Sequence, residues 1–246
     1  EKVKLSVLAM LNEKYGITEA DFMSAELCAV PAGRAVDIGL DRWLVGGYGH
    51  DDKVCAYPAL TALTDTEAAE HTVMCVLADK EETGSDGTTG MQCSLLVDLM
   101  DEICKCFGVS GAVCRSKSMC LSADVSAGFD PLYPEVYEKR NSAIVHAGVV
   151  MNKYTGSGGK YSTSDASAEY VAKIRAMFDA DNVVWQTAEL GKIDAGGGGT
   201  VAKYVANCNI DTVDLGVPVL SMHAPYEVVS KADVYSTYKA FCAFVK

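Results

Sequence analysis

The chain has 246 residues, a length that suits one large α/β domain or two small ones. Hydrophobic residues make up 49% and charged residues 22%, which is the composition of a globular protein with a sizeable core. A net charge of −12 without a basic patch argues against a nucleic-acid partner, and no apolar run has the length of a membrane-spanning helix. We therefore expect a globular protein that binds neither nucleic acid nor membranes.

Ten cysteines are present, but their pattern differs from that of a disulfide scaffold. Six lie in apolar segments, where a thiol behaves as a small hydrophobic group: Cys55, Cys75, Cys93, Cys104, Cys208 and Cys242. A zinc site at 104–106 with Cys114 and Cys120 is an alternative, but Cys-x-x-Cys spacing is missing there. This cysteine usage predicts a reducing, cytoplasmic setting.

The chain opens with a helical pattern that ends at Gly16, followed by short extended pieces such as 26–30. From about residue 45, helices and strands alternate. Apolar periodicity predicts helices over 52–64, 88–107, 167–178, 200–208 and 232–245, and strands over 72–79, 119–125, 143–152, 183–188 and 212–222. The alternation predicts an α/β fold with a central, mostly parallel or mixed sheet and helices on both faces. Glycines at 156–159 predict a mobile loop.

Two adjacent carboxylates, Glu81 and Glu82, follow the predicted strand 72–79. Ligands of open α/β sheets lie outside the carboxyl ends of the strands. Neighbouring glutamates at such a place can divide the work, one holding a metal and the other moving a proton. The alternative is a solvated acidic turn.

Further ligand-type residues occupy comparable positions in three other segments. Asp51 precedes a helix, where an N-cap is the alternative, and Asp124 ends the strand 119–125, where a turn residue is the alternative. His223 ends the apolar run that begins at 217–220, and Glu227 lies one helical turn beyond it. A structural histidine and a solvated charge are the alternatives. Carboxylates combined with imidazole suit zinc, manganese or cobalt. Together these residues predict a two-metal hydrolase site with a bridging carboxylate.

Five segments match a family pattern in order and spacing. They are 51–57 (Asp-Asp-Lys-Val-Cys-Ala-Tyr), 79–85 (Asp-Lys-Glu-Glu-Thr-Gly-Ser), 122–124 (Ser-Ala-Asp), 198–200 (Gly-Gly-Thr) and 215–223 (Leu-Gly-Val-Pro-Val-Leu-Ser-Met-His). With these segments the chain resembles the aspartyl aminopeptidase and aminopeptidase I family of co-catalytic metallopeptidases. The resemblance covers essentially the whole chain and implies a zinc-exopeptidase-like fold.

The resemblance implies a role for each of the matched residues. Asp51 corresponds to the carboxylate that bridges two metals, and Glu81 to the general base that deprotonates the attacking water. Glu82 and His223 correspond to ligands of one metal, and Asp124 to a ligand of the other. The implied cofactors are two divalent metal ions, zinc first, with manganese or cobalt as alternatives.

Two further residues are weaker candidates for substrate binding. Lys153 is expected to face the substrate, and Glu227 to contact its free amine or to support the metal ligands from behind. The glycine run 196–199 lacks the Lys-Ser/Thr ending of a phosphate-binding loop, so a tight wall beside the substrate backbone is favoured.

The chain departs from the family pattern at one ligand. The family uses a His-x-Asp element near its N-terminus, and no His-x-Asp of this chain can serve as that element. The four histidines are His50, His71, His146 and His223, and His50 directly precedes the aligned Asp51, so it belongs to a different motif. Residues 1–45 resemble the end of a preceding insertion or dimerisation domain and the return from it. Residues 46–246 resemble the C-terminal part of the catalytic domain. We therefore expect the chain to need an N-terminal portion of the same enzyme. The resemblance also implies assembly into a large homo-oligomer, a dodecamer.

The function expected from these features is a metal-dependent aminopeptidase that removes N-terminal residues from peptides. One alternative is an inactive or structural subunit or fragment of such an assembly, which would not require the Glu81 base. Another is a related metal-dependent carboxypeptidase or deacylase, which would differ in its need for a free substrate amine. The preferred N-terminal residue does not follow from the sequence.

Overall fold

The computed structural model describes all 246 residues, in two compact units, 1–32 and 33–246. The first unit contains helices α1 (Lys2–Tyr15) and α2 (Glu19–Phe22). Helix α1 ends as the sequence predicts, because Gly16 adopts a left-handed φ of 71° and its N–H donates to the Asn12 carbonyl. The extended pieces expected at 26–30 form no strand.

The second unit contains the remaining regular elements, and most of the predicted helices and strands are confirmed. Its helices are α3 (His50–Thr64), α4 (Leu95–Cys106), α5 (Gly111–Arg115), α6 (Ala168–Ala180), α7 (Ala202–Ala206) and α8 (Lys231–Val245). Its strands are β1 (Val36–Ile38), β2 (Leu44–Gly47), β3 (Met119–Ala123), β4 (Ser126–Ala127), β5 (Val149–Asn152), β6 (Tyr154–Ser157), β7 (Tyr161–Asp165), β8 (Trp185–Thr187), β9 (Asp211–Gly216), β10 (Pro218–Leu220) and β11 (Glu227–Ser230).

The strands form three sheets. A five-stranded sheet has the order β1-β2-β11-β10-β4, a four-stranded sheet has the order β3-β9-β5-β8, and β6 pairs with β7. The four-stranded sheet is mixed, since β3–β9 and β5–β8 are parallel whereas β5–β9 is antiparallel. The mixed α/β class predicted from the sequence is confirmed.

The two larger sheets do not form one central sheet. They are joined at two places where the chain leaves a strand of one sheet and enters a strand of the other. The chain passes from β3 to β4 at Asp124 and Val125, and from β9 to β10 at Val217. At this seam the Ser126 N–H donates to the Val217 carbonyl, with an N···O distance of 2.9 Å. Asp124, one of the ligand-type residues singled out from the sequence, lies in this seam.

The main core packs helices α6 and α8 against the four-stranded sheet. Its side chains come from inward-facing positions of β5 and β9 and from one face of each helix: Val149, Met151, Val213, Leu215, Ile174, Phe178 and Phe241. Burial of each large side chain contributes about 1.5–3 kcal/mol. Strand β3, which leads to Asp124, also packs against this core through Met119, Leu121 and Ala123.

The strand predicted over 72–79 is wrong. The segment forms no ladder, and its only strand-like pairing is an isolated bridge between Asp79 and Gly90. Its backbone has no neighbouring strand in this chain, so Met74, Val76 and Leu77 remain 37%, 49% and 64% exposed. An apolar run indicates strand propensity, but a strand exists only where a partner supplies hydrogen bonds.

The helix predicted over 88–107 begins only at Leu95. Residues 84–93 instead fold into turns, in which the Gln92 N–H donates to the Ser85 carbonyl at 3.1 Å. Gly90 permits this close packing, because a Cβ there would lie 2.1 Å from the Ser85 carbonyl oxygen.

The expected mobile loop at 156–159 is part of a regular hairpin, since β6 and β7 pair across a turn that contains Gly158 and Gly159. All ten cysteines are free. None of the helices combines the length and the apolar character that crossing a bilayer requires.

Candidate metal centre

Asp51 lies at the start of α3, directly after strand β2. The N-cap of this helix is Gly49, whose φ of 77° turns the chain, and no side chain caps the helix. Asp51 itself has a non-helical backbone, with φ −73° and ψ 114°. The N-cap position belongs to Gly49, so Asp51 does not cap the helix, and its carboxylate faces His223 instead.

Glu81 and Glu82 lie in a single-turn 3-10 helix, Glu81–Thr83. Left-handed residues bound this turn on both sides, Lys80 with φ 66° and Gly84 with φ 94°. The turn is fixed to its surroundings, because the Gln92 side chain donates to the Gly84 carbonyl at 2.7 Å. The two glutamates differ in environment: Glu81 is half-buried, whereas the Glu82 side chain is 62% exposed.

His223 lies in the turn that follows β10, and its φ is 64°. Its Nε2 atom lies 3.0 Å from Asp51 Oδ2 and 3.1 Å from Glu82 Oε1. Asp124 follows β3, and its Oδ1 accepts a hydrogen bond from the Val125 N–H at 2.7 Å. Segments far apart in the sequence therefore present carboxylate and imidazole groups to one place.

Two groups of side chains could each hold a metal ion, because the ligand atoms within each group all lie within 4.8 Å of one another. The first group is Asp51, Glu82 and His223, and the second is Asp51, Asp52 and Asp124. Asp51 belongs to both groups, which is the arrangement required of a carboxylate that bridges two metals. The oxygen and nitrogen donors of the first group suit zinc, and no cysteine belongs to either group.

Asp52 is a member that the sequence analysis did not single out. Its Oδ1 atom is buried without a hydrogen-bond partner. Burial raises the pKa of Asp52 to about 7, although a hydrogen bond with the Cys55 thiol opposes the shift. The Asp-Asp doublet at the helix start was the only signal in the sequence, and it is equally typical of ordinary helix N-termini. An orphaned buried carboxylate oxygen fits a position beside a cation.

The electrostatics of the cluster also favour the binding of a cation. Burial raises the pKa of Asp51, Glu81 and Asp124, and the charges of neighbouring carboxylates raise these pKa values further. No lysine or arginine forms an ion pair with any of these groups. Several carboxylates crowded together without a balancing positive charge are unfavourable unless a metal ion binds them.

The two weaker candidates lie in different surroundings. Glu227 is only 2% exposed, and its two oxygens accept hydrogen bonds from the backbone N–H groups of Asp51 and His223. Lys153 forms a surface ion pair with Asp165, and no hydrogen bond or ion pair joins it to the cluster. A substrate role for either residue stays a prediction.

The other three histidines do not contribute to either group. The His50 ring lies 3.1 Å from the Val45 carbonyl oxygen, and burial lowers the pKa of His50. The Nδ1 atom of His146 lies 2.7 Å from the Ser230 hydroxyl, and His71 is exposed. His223 is thus the single imidazole among the candidate ligands.

The glycine run 196–199 packs closely against the β6–β7 hairpin. A Cβ on Gly197 would lie 2.3 Å from the Gly156 carbonyl oxygen, so only glycine allows this approach. Beside the run lies a cavity of about 300 Å³, whose wall includes Tyr154, Leu190 and Lys192. The run thus forms a wall in the structure, and its contact with a substrate backbone stays a prediction.

Known proteins are similar to this chain in sequence and in fold. A protein named "Probable M18 family aminopeptidase 1" from Clostridium acetobutylicum is 48% identical over 249 residues, which covers 100% of this chain and 54% of that protein. The crystal structure of an M18 family aminopeptidase from Thermotoga maritima is 42% identical and superposes with a TM-score of 0.94, over 99% of this chain and 55% of that one. The crystal structure of aminopeptidase I from Clostridium acetobutylicum superposes with a TM-score of 0.92 at 48% sequence identity. The match covers 98% of this chain and 52% of that one.

The chain thus spans about half the length of the curated relatives that it matches. The family model described as "Aminopeptidase I zinc metalloprotease (M18)" matches residues 1–245. The resemblance seen in the sequence is confirmed, and the chain belongs to the aminopeptidase I (M18) family of zinc metalloproteases.

Proposed function

We propose that this chain carries most of the active site of a metal-dependent aminopeptidase, which removes N-terminal residues from peptides. One observation carries the proposal: two candidate ligand groups share Asp51 and lie beside Glu81, a carboxylate that belongs to neither group. Membership of a zinc metalloprotease family supports the same chemistry. Such a division of carboxylates is what a two-metal hydrolase needs.

In this proposal Glu82 and His223 hold one metal ion, Asp124 holds the other, and Asp51 bridges the two. Asp52 belongs to the same group as Asp51 and Asp124, so it would add a carboxylate beside the second ion. Zinc is the first choice, with manganese or cobalt as alternatives. When bound, the two ions supply a water of lowered pKa and polarisation of the scissile carbonyl.

Glu81 serves as the general base. Burial raises the pKa of Glu81, and the charge of Glu82 raises it further, so the carboxylate holds a proton more strongly than an exposed glutamate. A raised pKa improves a carboxylate as an acceptor of the proton of the attacking water. Because Glu81 is outside both ligand groups, its oxygens are available to take that proton and later deliver it to the leaving amine.

The site also calls for residues beyond this chain. The second ligand group contains only carboxylates, and no histidine of the chain lies with it. We infer that the His-x-Asp element implied by the resemblance comes from an N-terminal portion of the same enzyme. We also propose that the enzyme assembles into a large homo-oligomer, the dodecamer that the resemblance implies. The boundary between its two domains would lie near residue 45.

Replacement Glu81→Gln tests the proposed base. Gln accepts no proton but keeps the size of the side chain, so we expect turnover of an aminoacyl-p-nitroanilide to fall by about 10³-fold or more while bound zinc is unchanged. The assay uses this chain together with the portion that its Clostridium acetobutylicum relative has outside the matched region. Unchanged hydrolysis by the Gln variant would exclude Glu81 as the base.

A second comparison separates the aminopeptidase from the alternatives. An aminopeptidase hydrolyses peptides with a free amine and spares their N-acetylated forms, whereas a carboxypeptidase or deacylase does not show this preference. Zinc bound without any hydrolysis of either substrate would favour the structural or inactive subunit.

A further inference from the structure

Glu227 joins the two turns that carry the first ligand group. It is the first residue of β11 and is 2% exposed. Its Oε2 accepts a hydrogen bond from the Asp51 N–H at 3.0 Å, and its Oε1 accepts one from the His223 N–H at 2.8 Å. Both oxygens of one buried carboxylate are therefore used on the backbones of two candidate ligands.

Both donors lie at irregular points of the chain, where secondary structure does not satisfy them. Asp51 has a non-helical backbone at the entry to α3, and His223 has a left-handed φ of 64°. Backbone N–H groups at such positions need another acceptor when they are shielded from water. The carboxylate meets this need at both positions and also holds the two turns in one relative placement.

We propose that Glu227 is a positioning residue of the metal centre, which clamps the turns of Asp51 and His223 so that their side chains converge. The inference rests on the proposed function, in which these two residues hold a metal. The 3.0 Å approach of His223 Nε2 to Asp51 Oδ2 is the geometry that the clamp maintains. Glu227 acts from behind the ligands and is not itself one of them.

The clamp requires a carboxylate of this length. Both of its partners are N–H donors, so a glutamine would place its NH₂ group against one of them and lose that bond. An aspartate keeps the charge but is one methylene shorter and cannot reach both donors. Glu227→Gln and Glu227→Asp therefore remove the clamp in different ways, one without the charge and one with it.

The chain supplies a matched control in Asp233, which is also fully buried. Its two oxygens accept hydrogen bonds from the backbone N–H groups of His146, at 2.7 Å, and Gly148, at 2.8 Å. Neither donor belongs to a candidate ligand residue. Asp233→Asn removes the same kind of double acceptor away from the metal centre and reports the purely structural effect.

Titration of the chain with Co²⁺, followed by its visible absorption, measures the effect on the first ligand group. We expect both Glu227 variants to bind Co²⁺ about 10–100-fold more weakly and with an altered spectrum, because supporting residues of metal ligands have effects of that size. Asp233→Asn should bind with wild-type affinity. Wild-type binding by Glu227→Asp, or equal weakening by Asp233→Asn, would overturn the proposal.

Amide hydrogen exchange measured by NMR tests the clamp without any metal. In Glu227→Gln the amides of Asp51 and His223 should exchange at least about tenfold faster, with those of His146 and Gly148 unchanged; Asp233→Asn should show the reverse. If the wild-type chain bound no Co²⁺, the proposed metal site would be wrong. Hydrogen exchange would still show whether Glu227 holds the two turns together. Unchanged exchange at Asp51 and His223 would refute the clamp.

Discussion

At the scale of single residues, Asp214 shows how a carboxylate near the site is kept inside the protein. It lies in β9 and is 6% exposed, and no lysine or arginine pairs with it. Burial raises the pKa of Asp214 to about 6, although the hydroxyls of Thr200, Ser122 and Thr155 oppose this effect. The Thr155 hydroxyl donates to Asp214 Oδ2 at 3.3 Å. This residue therefore makes stability depend on pH.

The sign follows from the raised pKa. The folded state binds the Asp214 proton more strongly than the unfolded state, so its contribution is fully present below the unfolded pKa and is lost as pH rises through about 6. Relative to Asp214→Asn, the wild-type free energy of unfolding should fall by about 2–2.5 kcal/mol from about pH 4 to about pH 7. Urea denaturation at several pH values measures it. Asp211→Asn, at the exposed start of β9, is the control, and a pH-independent difference for Asp214→Asn would contradict the assignment.

The sequence points to ligand-type side chains by their residue type and by their place between regular elements, although the strand expected before Glu82 does not form. Asp51, Glu82 and His223 were each ambiguous alone, and the structure brings their ligand atoms together. Asp52 and the clamp geometry of Glu227 were not predictable, because both depend on how two distant turns approach each other. Backbone N–H groups leave no mark in a sequence.

At the scale of elements, the seam between the two larger sheets controls the position of Asp124. Gly216 ends β9 beside this residue, and a Cβ on Gly216 would lie 1.4 Å from the Asp124 carbonyl oxygen. The strands can approach this closely only because Gly216 has no side chain. One glycine thus sets the distance between β9 and the chain segment that carries a candidate ligand.

We therefore expect Gly216→Ala to lower the free energy of unfolding by about 1–3 kcal/mol or more, because the methyl group must push the backbone of Asp124 away. The variant should also weaken metal binding, since Asp124 moves with its backbone. Gly198→Ala is the control, because a Cβ there meets no atom within 4 Å. Urea denaturation gives the stability, and equal stability of the two variants would refute the steric role of Gly216.

Predictions of elements succeeded where the pattern is local and failed where it is not. Helices α6 and α8 follow from their own apolar periodicity, and both were found close to the expected bounds. The segment 72–79 has an equally clear apolar pattern, but a strand also needs a partner elsewhere, and none lies in this chain. The hairpin of β6 and β7 was missed for the opposite reason, because its glycines concealed regular pairing.

At the scale of the whole molecule, the net charge of −12 and the clustered carboxylates affect stability in the same direction. Uncompensated negative charge opposes the compact state, most strongly where carboxylates are partly buried. A divalent cation bound to the first ligand group relieves this repulsion in the folded state alone, because Asp51, Glu82 and His223 converge only there. Folding of the chain and metal binding should therefore be coupled.

The expected outcome is a higher thermal midpoint in the presence of Zn²⁺ or Co²⁺. At a free metal concentration of about 100 times Kd the folded state gains about 2.7 kcal/mol, which raises the midpoint by about 5–10 °C for a chain of this size. Excess EDTA should reverse the shift, and NaCl at equal ionic strength should not reproduce it, because screening is weaker than coordination.

Two single-charge variants separate coordination from net charge. Glu82→Gln removes a candidate ligand, whereas Glu169→Gln removes an exposed charge from the first turn of α6. We expect the metal-dependent shift to disappear in the Glu82 variant and to persist in the Glu169 variant. A shift of equal size in both would show that the cation acts on overall charge, since ligand loss at Glu82 would then have no effect. Differential scanning calorimetry on the four metal-loaded and metal-free samples gives the comparison directly.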